Sequence, residues 1–131
     1  MKKILTIVCS AMVLLSISSC TKKYITPNNT ESVYATLAPS DWSLYTDGKS
    51  YQAIINVADI DPNFASTGAV IVAISYSDGV YENLPEVYNG TAFSYVYNSG
   101  AVQLFSQSSD GTTAIAPTST IKVKITLIAT N

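Results

Sequence analysis

Residues 121–128 read Ile-Lys-Val-Lys-Ile-Thr-Leu-Ile. Ile121, Val123, Ile125 and Leu127 fall at every second position, with Lys122, Lys124 and Thr126 between them. A strand turns successive side chains to opposite faces, whereas a helix would scatter these apolar residues around its axis. The segment therefore predicts a β-strand with one face in a core and the other in water.

The same period recurs upstream. Val33, Ala35 and Leu37 alternate with Tyr34 and Thr36 until Pro39-Ser40 breaks the run. Trp42 and Leu44 alternate with Ser43 and Tyr45 before Asp47-Gly48, and Tyr51, Ala53, Ile55 and Val57 then share a face opposite Gln52 and Asn56. Asp-Gly between two alternating runs signals a hairpin, because both central turn positions must accept positive φ. The interruption from Asp59 to Gly68 is long enough for one helical turn. Ala69 to Ile74 is continuously apolar, as expected of a central strand covered on both sides. Asp78-Gly79 leads into Val80–Leu84, which Pro85 demotes to an edge or interrupted strand. Asn89-Gly90 precedes Phe93, Tyr95 and Tyr97, and Asn98-Ser99-Gly100 turns the chain into Val102 and Leu104.

About seven to eight short strands, with turns every ten or so residues, predict an all-β fold, a single antiparallel β-sandwich. A small β-barrel is the alternative closure, since alternation on every strand satisfies either.

The amino end has a different character. Lys2 and Lys3 precede an apolar run from Ile4 to Ile17, and the small residues Ser18 and Ser19 follow. This is the three-part layout of a secretory signal with an apolar helix at its centre. The run ends before the roughly 20 apolar residues that a membrane span needs. Cys20 closes Ile17-Ser18-Ser19-Cys20, which resembles the lipobox of bacterial lipoproteins. That resemblance implies diacylglycerol on the Cys20 thiol, cleavage just before it, and acylation of the new amine. One acyl chain binds a membrane only marginally, whereas two or more hold it.

Thr21-Lys22-Lys23-Tyr24-Ile25-Thr26-Pro27-Asn28-Asn29-Thr30 is similar to the start of small Bacteroidota lipoproteins, a resemblance that brings no known activity with it. Thr21 resembles the residue after the cysteine in lipoproteins sorted to the outer membrane. The first acid after Cys20 is Glu31, whereas surface-exported lipoproteins often carry acids directly after the cysteine, so a periplasm-facing placement is expected over surface exposure. The chain thus divides into a signal peptide (1–19), a lipidated flexible tether (20–31) and a β-sandwich domain (32–131). Fully extended, the tether would reach about 35 Å from the lipid.

Composition narrows the function classes. Without the first 19 residues, five lysines stand against nine acids, and the sequence contains neither arginine nor histidine. Nucleic-acid binding requires clustered cations, and the chain offers only Lys22 and Lys23 near the membrane and Lys122 and Lys124 on one late strand. Cys9 leaves with the leader and Cys20 carries lipid, so no pair remains for a disulfide. The imidazole base, the free thiolate and the guanidinium clamp are all missing. Neither a catalytic residue, a metal nor a cofactor is expected.

Three patterns invite chemistry. Asp59-Ile60-Asp61-Pro62-Asn63 has the alternate oxygen donors that begin a calcium loop, but Phe64 stands where a glycine is needed and no glutamate follows at the twelfth position. An Asx-rich turn explains it better. Tyr81, Glu82, Glu86, Tyr88 and Asn89 bracket one hairpin and could present rings, carboxylates and an amide to a sugar. Glu82 and Glu86 also suggest a glycosidase pair, whose carboxyls stand about 5 to 10 Å apart. In the structural reading the tyrosines simply build the sheet, since aromatic residues favour strands and pair across them.

The expected role is that of a lipid-anchored envelope protein, bound to the membrane through its N-terminal lipid. It is non-catalytic and acts by protein interaction or structure, using an exposed face or edge strand. The alternative is a carbohydrate-binding envelope lipoprotein. A contiguous exposed aromatic patch flanked by carboxylates or amides would favour the alternative.

Overall fold

The computed structural model describes residues 29–130. The signal peptide, Cys20 and the tether as far as Asn28 lie outside the described residues. Among the described residues there are nine strands: β1 (Thr30–Leu37), β2 (Ser43–Leu44), β3 (Tyr51–Asn56), β4 (Ala69–Ser77), β5 (Val80–Asn83), β6 (Glu86–Tyr88), β7 (Thr91–Asn98), β8 (Ala101–Ser108) and β9 (Ile121–Ile128). A 3-10 turn spans Pro39–Asp41, and a short helix, α1, spans Pro62–Thr67.

The alternating segment 121–128 forms a central strand. β9 pairs antiparallel with β1 on one side and β4 on the other, so that Ile125 lies opposite both Val33 and Val72. The four-stranded sheet has the order β1-β9-β4-β5, and the five-stranded sheet β2-β3-β8-β7-β6. They do not close into a barrel, and the fold is a β-sandwich. Between them lie Ile121, Val123, Ile125 and Leu127 of β9, Val70, Val72 and Ile74 of β4, Ala53 and Ile55 of β3, and Val102 and Leu104 of β8. The strands number nine because the short segments on either side of Pro85 both pair, β5 with β4 and β6 with β7.

The first strand begins at Thr30, two residues inside the segment expected to be tether, because Thr30 and Glu31 pair with Ile128 and Leu127. A second correction concerns Ala69–Ile74. This run is central but its outer face is only partly covered, with Ala73 buried and Ile71 41% exposed. A two-layer sandwich has no third layer to cover it.

Each two-residue hairpin sits where its turn residues permit. Asn89 and Gly90 both take positive φ, 48° and 77°, the requirement of a type I′ turn, and they join β6 to β7 with Tyr88 opposite Thr91. Two of the tyrosines clasp the layers together: Tyr95 donates its hydroxyl proton to the Val70 carbonyl at 2.6 Å, and Tyr97 donates to Gly68 at 3.5 Å.

Candidate functional site

The crossing between the sheets brings the candidate residues together. After β5 the chain leaves the four-stranded sheet through buried Leu84 and the cis Leu84-Pro85 bond, then enters the five-stranded sheet as β6. Glu82 lies opposite Ile74, and Glu86 lies opposite Phe93. Ile74 and Phe93 both face the core, so the two acids face each other from different sheets across the open edge of the sandwich.

Tyr76 continues the inward alternation of Val70, Val72 and Ile74, beyond the point where the register with β5 shifts. Such a bulge bends a strand and re-aims its side chains. The Tyr76 ring stacks on that of Tyr88, with centroids 5.2 Å apart and an interplanar angle of 22°. Phe93 meets Tyr76 edge-on at 6.1 Å and Trp42 at 6.3 Å. An aromatic chain therefore runs outward from the core and ends in two rings that are 39% (Tyr76) and 46% (Tyr88) exposed.

This stacked pair borders two hollows. The larger, about 390 Å³, is lined by Tyr76, Tyr88, Asn89, Thr91 and Phe93 and by residues 115–119. It combines an aromatic wall with the Asn89 amide and the hydroxyls of Thr91, Thr118 and Ser119, and no charged side chain lines it. The smaller, about 160 Å³, includes Ile74, Ser77, Val80 and Glu82 beside the same two tyrosines.

The segment 115–119 is held by β8. Buried Ser106 donates its hydroxyl proton to the Ile115 carbonyl at 2.7 Å, and Gln107 bridges to Ala114. The preceding loop is organised by Asp110, which accepts from the hydroxyls of Ser108 and Thr112. Those bonds hold its carboxyl down at about 2. Ser106→Ala removes the link to Ile115 and is expected to cost about 1 kcal/mol, read by denaturant unfolding.

The Glu82 carboxyl acts on that of Glu86 across this edge. Burial first, then the polar influence and the charge of Glu82, push Glu86 up to about 7. Its Oε1 is buried and finds no donor among the described residues. Tyr76 is also pushed up, by burial first and then by Glu86, Tyr88 and Glu82, and keeps its hydroxyl proton.

An acid whose folded pKa is raised stabilises the fold fully below its unfolded value of 4.5, and that contribution disappears as the pH climbs through the folded value. The melting temperature should therefore fall between pH 4.5 and about 7. In Glu86→Gln, which removes the titrating group, the curve should be flatter over that window. A wild-type profile that does not fall would contradict the raised value of Glu86.

Of the five residues singled out in the sequence, Glu82, Glu86, Tyr88 and Asn89 gather at this edge. Tyr81 does not join them: adjacent to Glu82 on a strand, it turns to the outer face, where the Lys124 ammonium lies 4.7 Å from its ring centroid. Tyr76, Thr91, Phe93 and residues 115–119 were missed. The alternation through Ile74 already places Tyr76 on the inner face, whereas nothing local points to 115–119.

The Asp59–Asn63 segment is a helix start. The Asp61 carboxylate accepts from the Phe64 amide at 2.7 Å and caps α1, which begins at Pro62. No protein family, curated protein or solved structure matches the chain.

Proposed function

We propose that this chain is a non-catalytic binding module of the bacterial cell envelope, anchored through acylated Cys20, and that its larger cleft takes a residue of a neutral glycan. The observation that carries the reading is the stacked, half-exposed Tyr76–Tyr88 pair at the mouth of a cleft lined by hydroxyls and one amide. A sugar ring offers an apolar face to an aromatic wall and a rim of hydroxyls to polar groups, and ligand sites commonly combine such a wall with a few convergent polar atoms. The uncharged lining selects against acidic sugars. Glu82, in the smaller hollow beside the same tyrosines, adds polarity at the rim.

The anchor reading rests on the leader and on Ile17-Ser18-Ser19-Cys20. It assigns the domain to the outer membrane of a Bacteroidota-like cell, facing the periplasm. Mass spectrometry of the protein from envelope membranes is expected to find an acylated N-terminal Cys20; acyl chains persisting on Cys20→Ser would contradict it.

The glycan reading is tested by screening the detergent-solubilised full chain against neutral, basic and acidic glycans. Binding confined to neutral glycans and lost in Tyr88→Ala supports it. No binding, or binding indifferent to Tyr88, overturns it. A protein-interaction role is favoured by a different feature, the edge strand β1.

A further inference from the structure

The two sheets present four edges, and three are short or interrupted. β2 has two residues and β6 three. β5 has four, joins β4 with a shifted register, and ends two residues before Pro85. Such shortening, bulging and proline are the usual means of preventing an edge from recruiting another strand. β1 has none of them. Its eight residues pair without a break against β9 on one side, and no described strand lies on its other side.

Side chains make this edge self-complementary. Thr30-Glu31-Ser32-Val33-Tyr34-Ala35-Thr36-Leu37 contains no proline and no lysine, and its single charge lies near one end. Tyr34 is 65% exposed, the most exposed of the large hydrophobic side chains among the described residues. We infer that β1 pairs antiparallel with β1 of a second copy about a two-fold axis through Tyr34, joining two four-stranded sheets into one.

Antiparallel partners directly opposite each other share a face, and an axis through Tyr34 preserves that match. Tyr34 meets its counterpart on the outer face, the kind of aromatic pair that stabilises neighbouring strands. Ser32 meets Thr36, and Glu31 meets Leu37, so no like charges are opposed. An axis through Val33 would place each Tyr34 opposite Ser32 and forfeit the ring pair. A second copy supplies this sequence in register along the whole strand, whereas the hollow of about 180 Å³ lined by Glu31, Phe64 and Leu127 would give an unrelated peptide a pocket at one end of β1 alone. The inference does not depend on the glycan reading.

The test is sedimentation of the full chain in density-matched detergent over a range of concentrations. The wild type should pass from one to two copies as concentration rises. Tyr34→Glu places a carboxylate opposite Lys124 within the same sheet, where it is tolerated, but sets two carboxylates against each other at the axis. It should raise the dimer dissociation constant at least tenfold. Tyr34→Lys should also weaken self-association, and an equimolar mixture of the two variants should restore the two-copy species. Circular dichroism of each variant verifies that it folds. A wild type that stays single at every concentration overturns the inference, as when the segment before Asn29 occupies the edge. So does a dimer unaffected by Tyr34→Glu, or a mixture that fails to reassociate.

Discussion

Ile125→Ala is expected to lower the thermal unfolding midpoint by about 10 to 30 °C. Ile125 is fully buried in the middle of β9, opposite Val33 and Val72 on its neighbouring strands. Truncating such a side chain removes transfer free energy and leaves a cavity, at a cost of about 2 to 5 kcal/mol. For a domain of this size each kcal/mol moves the midpoint by roughly 4 to 8 °C. Thr126→Ala, one residue along on the outer face, should change stability by no more than about 0.5 kcal/mol. Circular dichroism melts of the pair distinguish a strand with one buried face from other ways of ordering the same residues. Equal losses at the two positions would contradict the two-layer arrangement.

Tyr88→Ala should reduce affinity for a neutral glycan at least tenfold, equivalent to about 1.4 kcal/mol. The substitution removes one ring of the stacked pair and half of the aromatic wall, while Tyr88 itself is half-exposed and contributes little to the core. Tyr88→Phe keeps the ring and should retain most of the binding. Tyr81→Ala should leave affinity unchanged, because Tyr81 lies on the outer face beside Lys124. Isothermal titration with the best glycan from the screen measures all three. Equal losses for Tyr81→Ala and Tyr88→Ala would place the ligand somewhere other than this cleft.

The fold was legible where its determinants are local. Alternation over Val33–Leu37, Tyr51–Val57 and Ile121–Leu127 specifies inner and outer faces, and Asp47-Gly48, Asp78-Gly79 and Asn89-Gly90 each occur at an observed hairpin. Closure into two sheets was not local. It depends on the chain changing layers at Leu84-Pro85, where Leu84 donates its amide proton to the Val72 carbonyl at 2.8 Å. Pro85 marked an interruption without saying that the next residues would join the other sheet.

The candidate site divides in the same way. Glu86, Tyr88 and Asn89 lie on one hairpin arm and its turn, so their proximity follows from sequence. Grouping Tyr81 with Glu82 conflicted with the period of two, since neighbours on a strand face opposite ways. Residues 115–119 reach the cleft through a hydrogen bond from Ser106 and a bridge at Gln107. Neither contact leaves a periodic trace in the chain.

The most direct test of the central claim is nuclear magnetic resonance of the full chain in detergent, with labelled tyrosine and phenylalanine rings, titrated with a neutral glycan. The account predicts saturable shifts in the ring signals of Tyr76, Tyr88 and Phe93, with those of Tyr34 and Tyr81 unmoved. Saturable shifts centred on Tyr34 or Tyr81, or none at Tyr76 and Tyr88, would contradict it.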